Sequence, residues 1–492
     1  MGFTDRRERG TILSENGGDG ADASVRLVHK GRWGVQALGY VQMRKFTSRA
    51  VAVDATRTTV TQSVDQYNVP STGLGGRLEI RPPLGEAVEL RLGADVRRTT
   101  GETNELFTYV AGKPTRIREA GGQSDTAGAF AELSAKLEAL TLTGGGTSEV
   151  TGEIRGDGGL TFDTDTDEVR LAGADGQYTY TGATKVLSGN VIIGHSGAST
   201  LASTEVDVSG GTLNDKNGSL NAGTDLTISG TGTVDVANAD TITSVDISGG
   251  TLQGAGTLTV TGTLGQSDGE IAGTVNVAGA KTLDGGTISG TLGGAGATTI
   301  QTGTTTVTGT INGNVTVGSG GTLRLDSATA VSGTITTTGS VISYADGMNE
   351  GSNIILNSDT TQLEVLAGDA ATQSGVISET GGARPLEKIG DGKLTVTGSN
   401  TYTGLTTISA GALRAANSTA LGTVAGGVSI TSGAALELDG TAGALTIGAE
   451  ALALNGTGIT SGGALRNIAG ANSYAGAITL GSAGQINADA GS

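Results

Sequence analysis

The sequence predicts an all-β chain, with a parallel β-helix (solenoid) over residues 141–492 and an antiparallel strand-rich segment over residues 1–140. Three observations carry that expectation. Gly supplies 87 of the 492 residues, while Pro supplies 5 and aromatics only 3%, so turns are plentiful and the large side chains of an ordinary globular core are scarce. Between the glycines lie short runs rich in Thr and Val, which are stiff at χ1 and fit a pleated surface. One such stretch, corners included, recurs along the chain as stacked repeats do. There is no Gly-X-Y period, which excludes collagen. The regular two-residue apolar alternation distinguishes the chain from a flexible Gly/Ser/Thr linker.

In the first segment the alternation is long and charged. Val88, Leu90, Leu92, Ala94 and Val96 share one strand face, with Glu89, Arg91, Asp95 and Arg97 on the other. Trp33, Val35, Ala37, Val41 and Met43 repeat the scheme opposite Arg32, Gln36, Gln42 and Arg44, and Pro82-Pro83-Leu84-Gly85 marks a tight turn. About five strands of about ten residues, apolar outside and charged inside, suit an incomplete outer-membrane barrel, since even the smallest closed ones have about eight strands. The runs from Leu90 to Glu105 and from Tyr109 to Asp125 resemble barrel strands and loops of a TonB-dependent outer-membrane receptor. That resemblance implies uptake of siderophore-like nutrients, but plug and most strands are missing and no transport residue carries over.

The join is expected near Leu140-Thr-Leu-Thr-Gly-Gly145, beyond which lie 69 of the 87 glycines. Apolar dyads recur at Val206/Val208, Leu226/Ile228, Val245/Ile247, Leu258/Val260 and Val275/Val277, at intervals of 20, 19, 13 and 17 residues. Similar corners follow many of them, as in Ser209-Gly-Gly-Thr-Leu213 and Ser248-Gly-Gly-Thr-Leu252. A unit of 18 to 20 residues with three short strands per turn suits a solenoid in which each coil bonds to the next. About 350 residues would then give about 17 coils at the ~4.8 Å strand spacing. The final Ala488-Asp-Ala-Gly-Ser492 offers no cap for the exposed strand edge, which leads one to expect a truncated chain.

The clearest copy of the repeat spans residues 386–421 and contains Gly390, Gly392, Leu394, Val396, Tyr402, Gly404 and Gly411. Gly156-Asp-Gly-Gly-Leu-Thr-Phe162 parallels Gly390-Asp-Gly-Lys-Leu-Thr-Val396, and Tyr180-Thr-Gly182 parallels Tyr402-Thr-Gly404. Tyr474-Ala-Gly476 echoes the same corner near the end. These residues resemble the passenger-associated transport repeat of bacterial autotransporters. The resemblance implies a cell-surface or secreted rod that folds coil upon coil as it emerges through a C-terminal translocator barrel. Its implied partners are host cells, matrix or sister cells, with the outer membrane reached through the N-terminal part or a missing translocator.

Charge divides the chain in the same place. Residues 1–140 hold 19 Lys and Arg against 17 Asp and Glu, whereas 141–492 hold 11 against 31. So acidic a region, poor in aromatics, repels phosphates and stacks few bases, so no nucleic-acid partner is expected. The absence of cysteine excludes disulfides and thiolate metal sites. Met1–Gly20 lacks the apolar core of a signal peptide, and no run approaches the ~20 apolar residues of a spanning helix.

The supply of reactive residues argues against catalysis. His29 and His195 are the only histidines, and Gly194-His-Ser-Gly-Ala198 lacks the last glycine of a nucleophile elbow. Gly17-Gly-Asp-Gly-Ala-Asp22 begins like a calcium-binding nonapeptide but has Ser24 where a large apolar residue belongs, so a loop is expected. Asp163, Asp165 and Asp167 would share a solvated strand face with Glu168 beside them, the one dense carboxylate run that a glycosidase could use. Arg155-Gly156-Asp157 coincides with the repeat's corner, so its likeness to an adhesion tripeptide is expected to be chance. Neither a cofactor nor a metal is expected, and no catalytic residue is assigned.

Overall fold

The computed structural model describes residues 2–8, 14–84, 88–135, 139–143, 146–174, 176–195, 200–358 and 360–489. The chain forms two compact units, Met1–Leu137 and Glu138–Ser492.

The first unit is an antiparallel meander of six strands in sequence order: β1 (Gly2–Glu8), β2 (Glu15–Lys30), β3 (Gly34–Val53), β4 (Val60–Arg81), β5 (Val88–Val110) and β6 (Lys113–Ala135). From β2 onward they run 16 to 23 residues, about twice the expected length. The pairing continues through Gly- and Thr-rich stretches such as Ser71–Gly76, which lie within β4. Gly17–Asp22 likewise lies inside β2, and Asp22 pairs with Arg44 across to β3. It is therefore neither a loop nor a calcium-binding coil. Trp33 sits in the β2–β3 turn rather than on the strand.

The lateral register gives the sheet two unlike faces. On one, Glu79 is 5% exposed and accepts ion pairs from Arg77 (3.2 Å), Arg81 (3.0 Å) and Arg91 (3.3 Å). Hydrogen bonding, from Arg81 above all, holds its carboxyl below the ordinary value. Arg91 continues to Glu132, and Arg77 lies over the Phe130 ring at 4.9 Å. On the other face, the lateral row Leu27–Ala37–Leu78–Ala94–Ala129 stacks beside Val35–Ile80–Leu92–Ala131 and Val25–Gly39–Gly76–Val96–Ala127. Val25, Leu27, Leu74, Leu78, Leu92 and Val96 are all exposed there.

The second unit is a parallel solenoid. One ladder runs unbroken through seventeen strands, from Ser148–Val150 to Ile478–Gly484. Its inward column reads Val191, Leu213, Val234, Leu252, Ile271, Ile288 and Val307, every one buried. Each coil covers the apolar residues of the last, so a single core extends the length of the stack. A second ladder links Val206, Leu226, Val245 and Leu264, and a third links Leu258, Val275, Leu292 and Ile311.

This arrangement corrects the expected period. The 13-residue interval between Val245 and Leu258 is a step from the second ladder to the third, not a short coil. Along the first ladder, coils contain 17 residues between Ile271 and Ile288 but 26 between Leu454 and Leu480. The longer ones carry corners that leave the sheet. Among the described residues the only helix is a 3-10 turn at Ile459–Ser461, and no helix is long and apolar enough to cross a membrane.

Candidate functional site

The repeat coil is built around a tyrosine, a threonine four residues later and a glycine between them. Tyr402 is 1% exposed, and its hydroxyl meets Thr406 Oγ1 at 2.7 Å. Tyr180 and Thr184 form the same bond at 2.7 Å, and burial pushes the Tyr180 phenol up to about 12. Since both hydroxyls are buried, each is the other's replacement for water. The third copy differs because Ile478 stands four residues after Tyr474, and the Tyr474 hydroxyl has no hydrogen-bond partner. Tyr402→Phe should therefore cost about 1–2 kcal/mol, because Thr406 is left buried and unpaired. Tyr474→Phe should leave stability unchanged or raised. Amide exchange in the adjoining coils measures both, and equal losses would contradict the pairing.

The repeat glycines lie where one coil's backbone touches the next. A Cβ on Gly404 would overlap the Arg384 carbonyl and approach Pro385 N, one on Gly182 would overlap the backbone at Gly158–Gly159, and one on Gly476 would overlap the Glu450 carbonyl. Gly411 has φ +60 in addition to a crowded neighbour at Gly392, and Gly390 has φ +72 beneath the Val365 carbonyl. Gly392 itself lies over the Leu366 carbonyl. Leu394 and Val396 point inward at 0% and 2% exposure.

Sequence reasoning missed the ionisable groups inside the ladders. Lys388 replaces an apolar residue between Leu363 and Ile408. Its ammonium, 1% exposed as a residue, donates to the carbonyls of Ile389 and Gly390 at 2.7 Å, and burial pushes its pKa down to about 8. Asp215 sits between Ile193 and Val236, fully buried, with Oδ1 accepting from Ser219 N at 2.8 Å. Burial and then the neighbouring Asp240 carboxyl push Asp215 up to about 7. Glu450 is 1% exposed and burial pushes it to about 7 as well. Period-two parity carried the signal: Leu213 and Leu386 point inward, so Asp215 and Lys388 must too.

The residues considered for chemistry do not assemble. The strand register slips between Asp163 and Glu168, and Asp165 has φ +53, so the expected common face of Asp163, Asp165 and Asp167 is broken by a bulge. Asp163 instead accepts from Ser188, while Glu168 pairs with Arg170. Among the described residues no three His, Cys, Asp or Glu gather at metal-binding spacing. Arg155 and Asp157 are exposed at a corner, with Arg155 3.7 Å from Glu153. His195 is exposed, and Ser196 lies outside the described residues.

Residues 386–415 match the family model of the passenger-associated-transport-repeat. The chain is also similar to the Adhesin BmaC autotransporter of Brucella suis biovar 1 (strain 1330), 31% identical over 189 residues. That match covers 34% of this chain and 5% of the relative's length. Neither match is to a TonB-dependent receptor, and no solved structure matches the chain.

Proposed function

We propose that the solenoid unit is an autotransporter-type passenger, a non-enzymatic structural element at the cell surface or released from it, whose exposed sides adhere to host cells, matrix or sister cells. The observation that carries this reading is the continuity of the first ladder through the matched repeat, from Gln362–Glu364 to Glu387 and onward to Thr407 and Ser429. The repeat, whose own strands Leu386–Ile389 and Lys393–Val396 pair with Thr406–Ile408 and Ala412–Ala415, is thus part of a long stack rather than an isolated domain. A surface of Thr, Ser and carboxylates on a solenoid whose described residues assemble no reactive centre suits presentation better than turnover. Similarity to a protein named as an adhesin supports the same reading. Binding of the full chain to host cells, extracellular matrix and sister cells should exceed that of an acidic Gly-rich control polypeptide. Equal binding would remove the adhesive role.

A second reading applies to the first unit. The apolar rows from Val35 to Met43 on β3 span four two-residue steps, ~27 Å along the strand, comparable to the apolar band of an outer-membrane barrel wall before tilt. The Glu79 cluster lies on the opposite face, while the Arg98–Asp125 pair at 2.7 Å stands on the apolar side beside Val96 and Ala127, so the apolar rows on β2 and β3 are the part of the sheet that suits the wall of a receptor-like barrel. Cosedimentation of the full chain with phospholipid vesicles should then fall when Leu78 and Val96 are both changed to Glu. Sedimentation that does not respond to the change excludes membrane contact by this face.

A further inference from the structure

A groove of about 400 Å³ lies on the outer side of the C-terminal sheet of the solenoid. Its floor crosses the adjacent strands Ala370–Gln373, Lys393–Val396, Ala412–Ala415, Ala435–Asp439 and Leu465–Ala469. Four inter-strand spacings give it a length of ~19 Å. Ala412 and Ala435 pair laterally with Lys393, so all three lie on the same side of the sheet. The alanines keep that floor low, and both are nevertheless buried, at 4% and 2% exposure.

One wall is a ledge that departs from the coil between Gly458 and Gly463. Those two glycines bridge to each other, and Gly463 N donates to the Thr457 carbonyl at 2.9 Å, which closes the ledge on itself. Thr460 and Ser461 at its tip have φ +46 and +58. Two successive non-glycine residues in the left-handed region cost of order 1–3 kcal/mol each, a strain that concentrates at ligand clamps. Ile459 stands on the ledge 38% exposed.

The groove presents polar groups of both kinds. Across its floor Glu437 is held by Arg414 at 2.8 Å and Arg466 at 3.4 Å. The Asp369 and Asp391 carboxylates, the Lys393 ammonium and the Thr460 hydroxyl also line it, and none makes a side-chain hydrogen bond or ion pair among the described residues. Acceptors and donors therefore stand uncommitted around a low apolar floor.

We propose that this groove binds a neutral oligosaccharide, with ring C–H faces on the alanine floor and Ile459, and hydroxyls bonded to Asp369, Asp391, Lys393 and Thr460. Three arguments select that ligand class. Every floor strand from Lys393 to Asp439 is paired on both sides, so an extended peptide finds no backbone edge to join. The lining holds three carboxylates, Asp369, Asp391 and Glu437, against two cations, Lys393 and Arg466, within a unit carrying 31 acids against 11 bases beyond residue 140, which disfavours an anionic ligand. A polyol uses adjacent donors and acceptors together without needing net charge. The volume lies within the usual range of ligand sites.

This inference deepens the adhesive reading and rests on it. Calorimetric titration of the full chain with cellotetraose, maltotetraose and mannotetraose, beside tetragalacturonate and a chitosan tetramer, tests it. At least one neutral probe should bind, and Asp391→Asn and Ile459→Asp should each weaken it tenfold or more. Both residues are exposed, so circular dichroism should be unchanged in either variant. Affinity insensitive to both changes, preference for a charged probe, or no binding by any neutral probe overturns the assignment. Cell adhesion measured in parallel separates the two ideas: adhesion surviving without neutral-glycan binding removes the groove alone, and absence of adhesion by the unaltered chain removes the broader reading.

Discussion

Gly404→Val should open the coil containing it at a cost of about 3 kcal/mol or more. The residue has no left-handed φ to preserve, and the obstacle is the Arg384–Pro385 backbone of the preceding coil, into which any Cβ would project. A main-chain carbonyl held between Glu379, which accepts from Arg384 N, and the strand that begins at Leu386 cannot swing aside as a flexible side chain can, so two coils must separate or bend. In a stack where each coil touches only its neighbours, the damage stays local. Limited proteolysis should cut near residue 404 while the coils around residues 226–260 stay intact. Gly152→Val is the control, because nothing lies within 4 Å of its Cβ position, and surface changes of that kind stay within about 0.5 kcal/mol. Identical protease patterns for the two variants would show that the close approach at Gly404 does not matter.

The second large effect is a loss of stability as pH rises from about 4 to about 7. Asp215 and Glu450 have ordinary values of 3.8 and 4.5, and each is pushed up to about 7 in the fold. Between those limits the folded chain holds protons that the unfolded chain has released, so raising the pH favours unfolding. Each group contributes a slope of about 1.4 kcal/mol per pH unit, with its stabilisation fully present below the lower limit and lost by the upper one. Glu379 and Asp439 are shifted the other way, so their contribution fades only in more acid solution. The measurement is amide exchange in Thr212–Asp215 and Leu452–Gly456, expressed as the ratio of variant to unaltered chain at each pH. Asp215→Asn and Glu450→Gln should each gain protection relative to the unaltered chain as pH approaches 7. A ratio independent of pH would mean that these carboxyls are not holding protons.

What the sequence revealed depended on how far each feature reached along the chain. The solenoid was legible because stacking demands the same thing of every coil: Tyr180-Thr-Gly182 and Tyr402-Thr-Gly404 are alike because each must pass the backbone of a neighbouring coil. The coil length was not, because Val245 and Leu258 look equivalent in a list of apolar dyads and only pairing reveals that they belong to different ladders. Parity could have exposed Asp215 and Lys388, since each follows an inward leucine by two residues. The groove left almost no trace. Its floor residues Lys393, Ala412 and Ala435 come from three coils, and the ledge that walls it depends on a backbone reversal between Gly458 and Gly463. In the first unit the alternation gave the two faces but not the strand lengths, since Gly73, Gly75 and Gly76 lie within β4 yet carry no side chains to continue the apolar and charged alternation.

The unbroken ladder also determines how the solenoid would yield under mechanical load. Its inter-strand hydrogen bonds point along the stacking direction, so tension applied there pulls each coil directly away from the next rather than shearing many bonds at once. The terminal coil has a neighbour on only one side and detaches first, exposing the next to the same force. A coil that occupied ~4.8 Å of stack then becomes some 20 residues of chain, up to ~70 Å when extended. Each detachment therefore multiplies the local length more than tenfold while the remaining coils keep their register. Extension under load would proceed as a series of small, similar releases, dissipating work step by step where a single cooperative domain would fail at once.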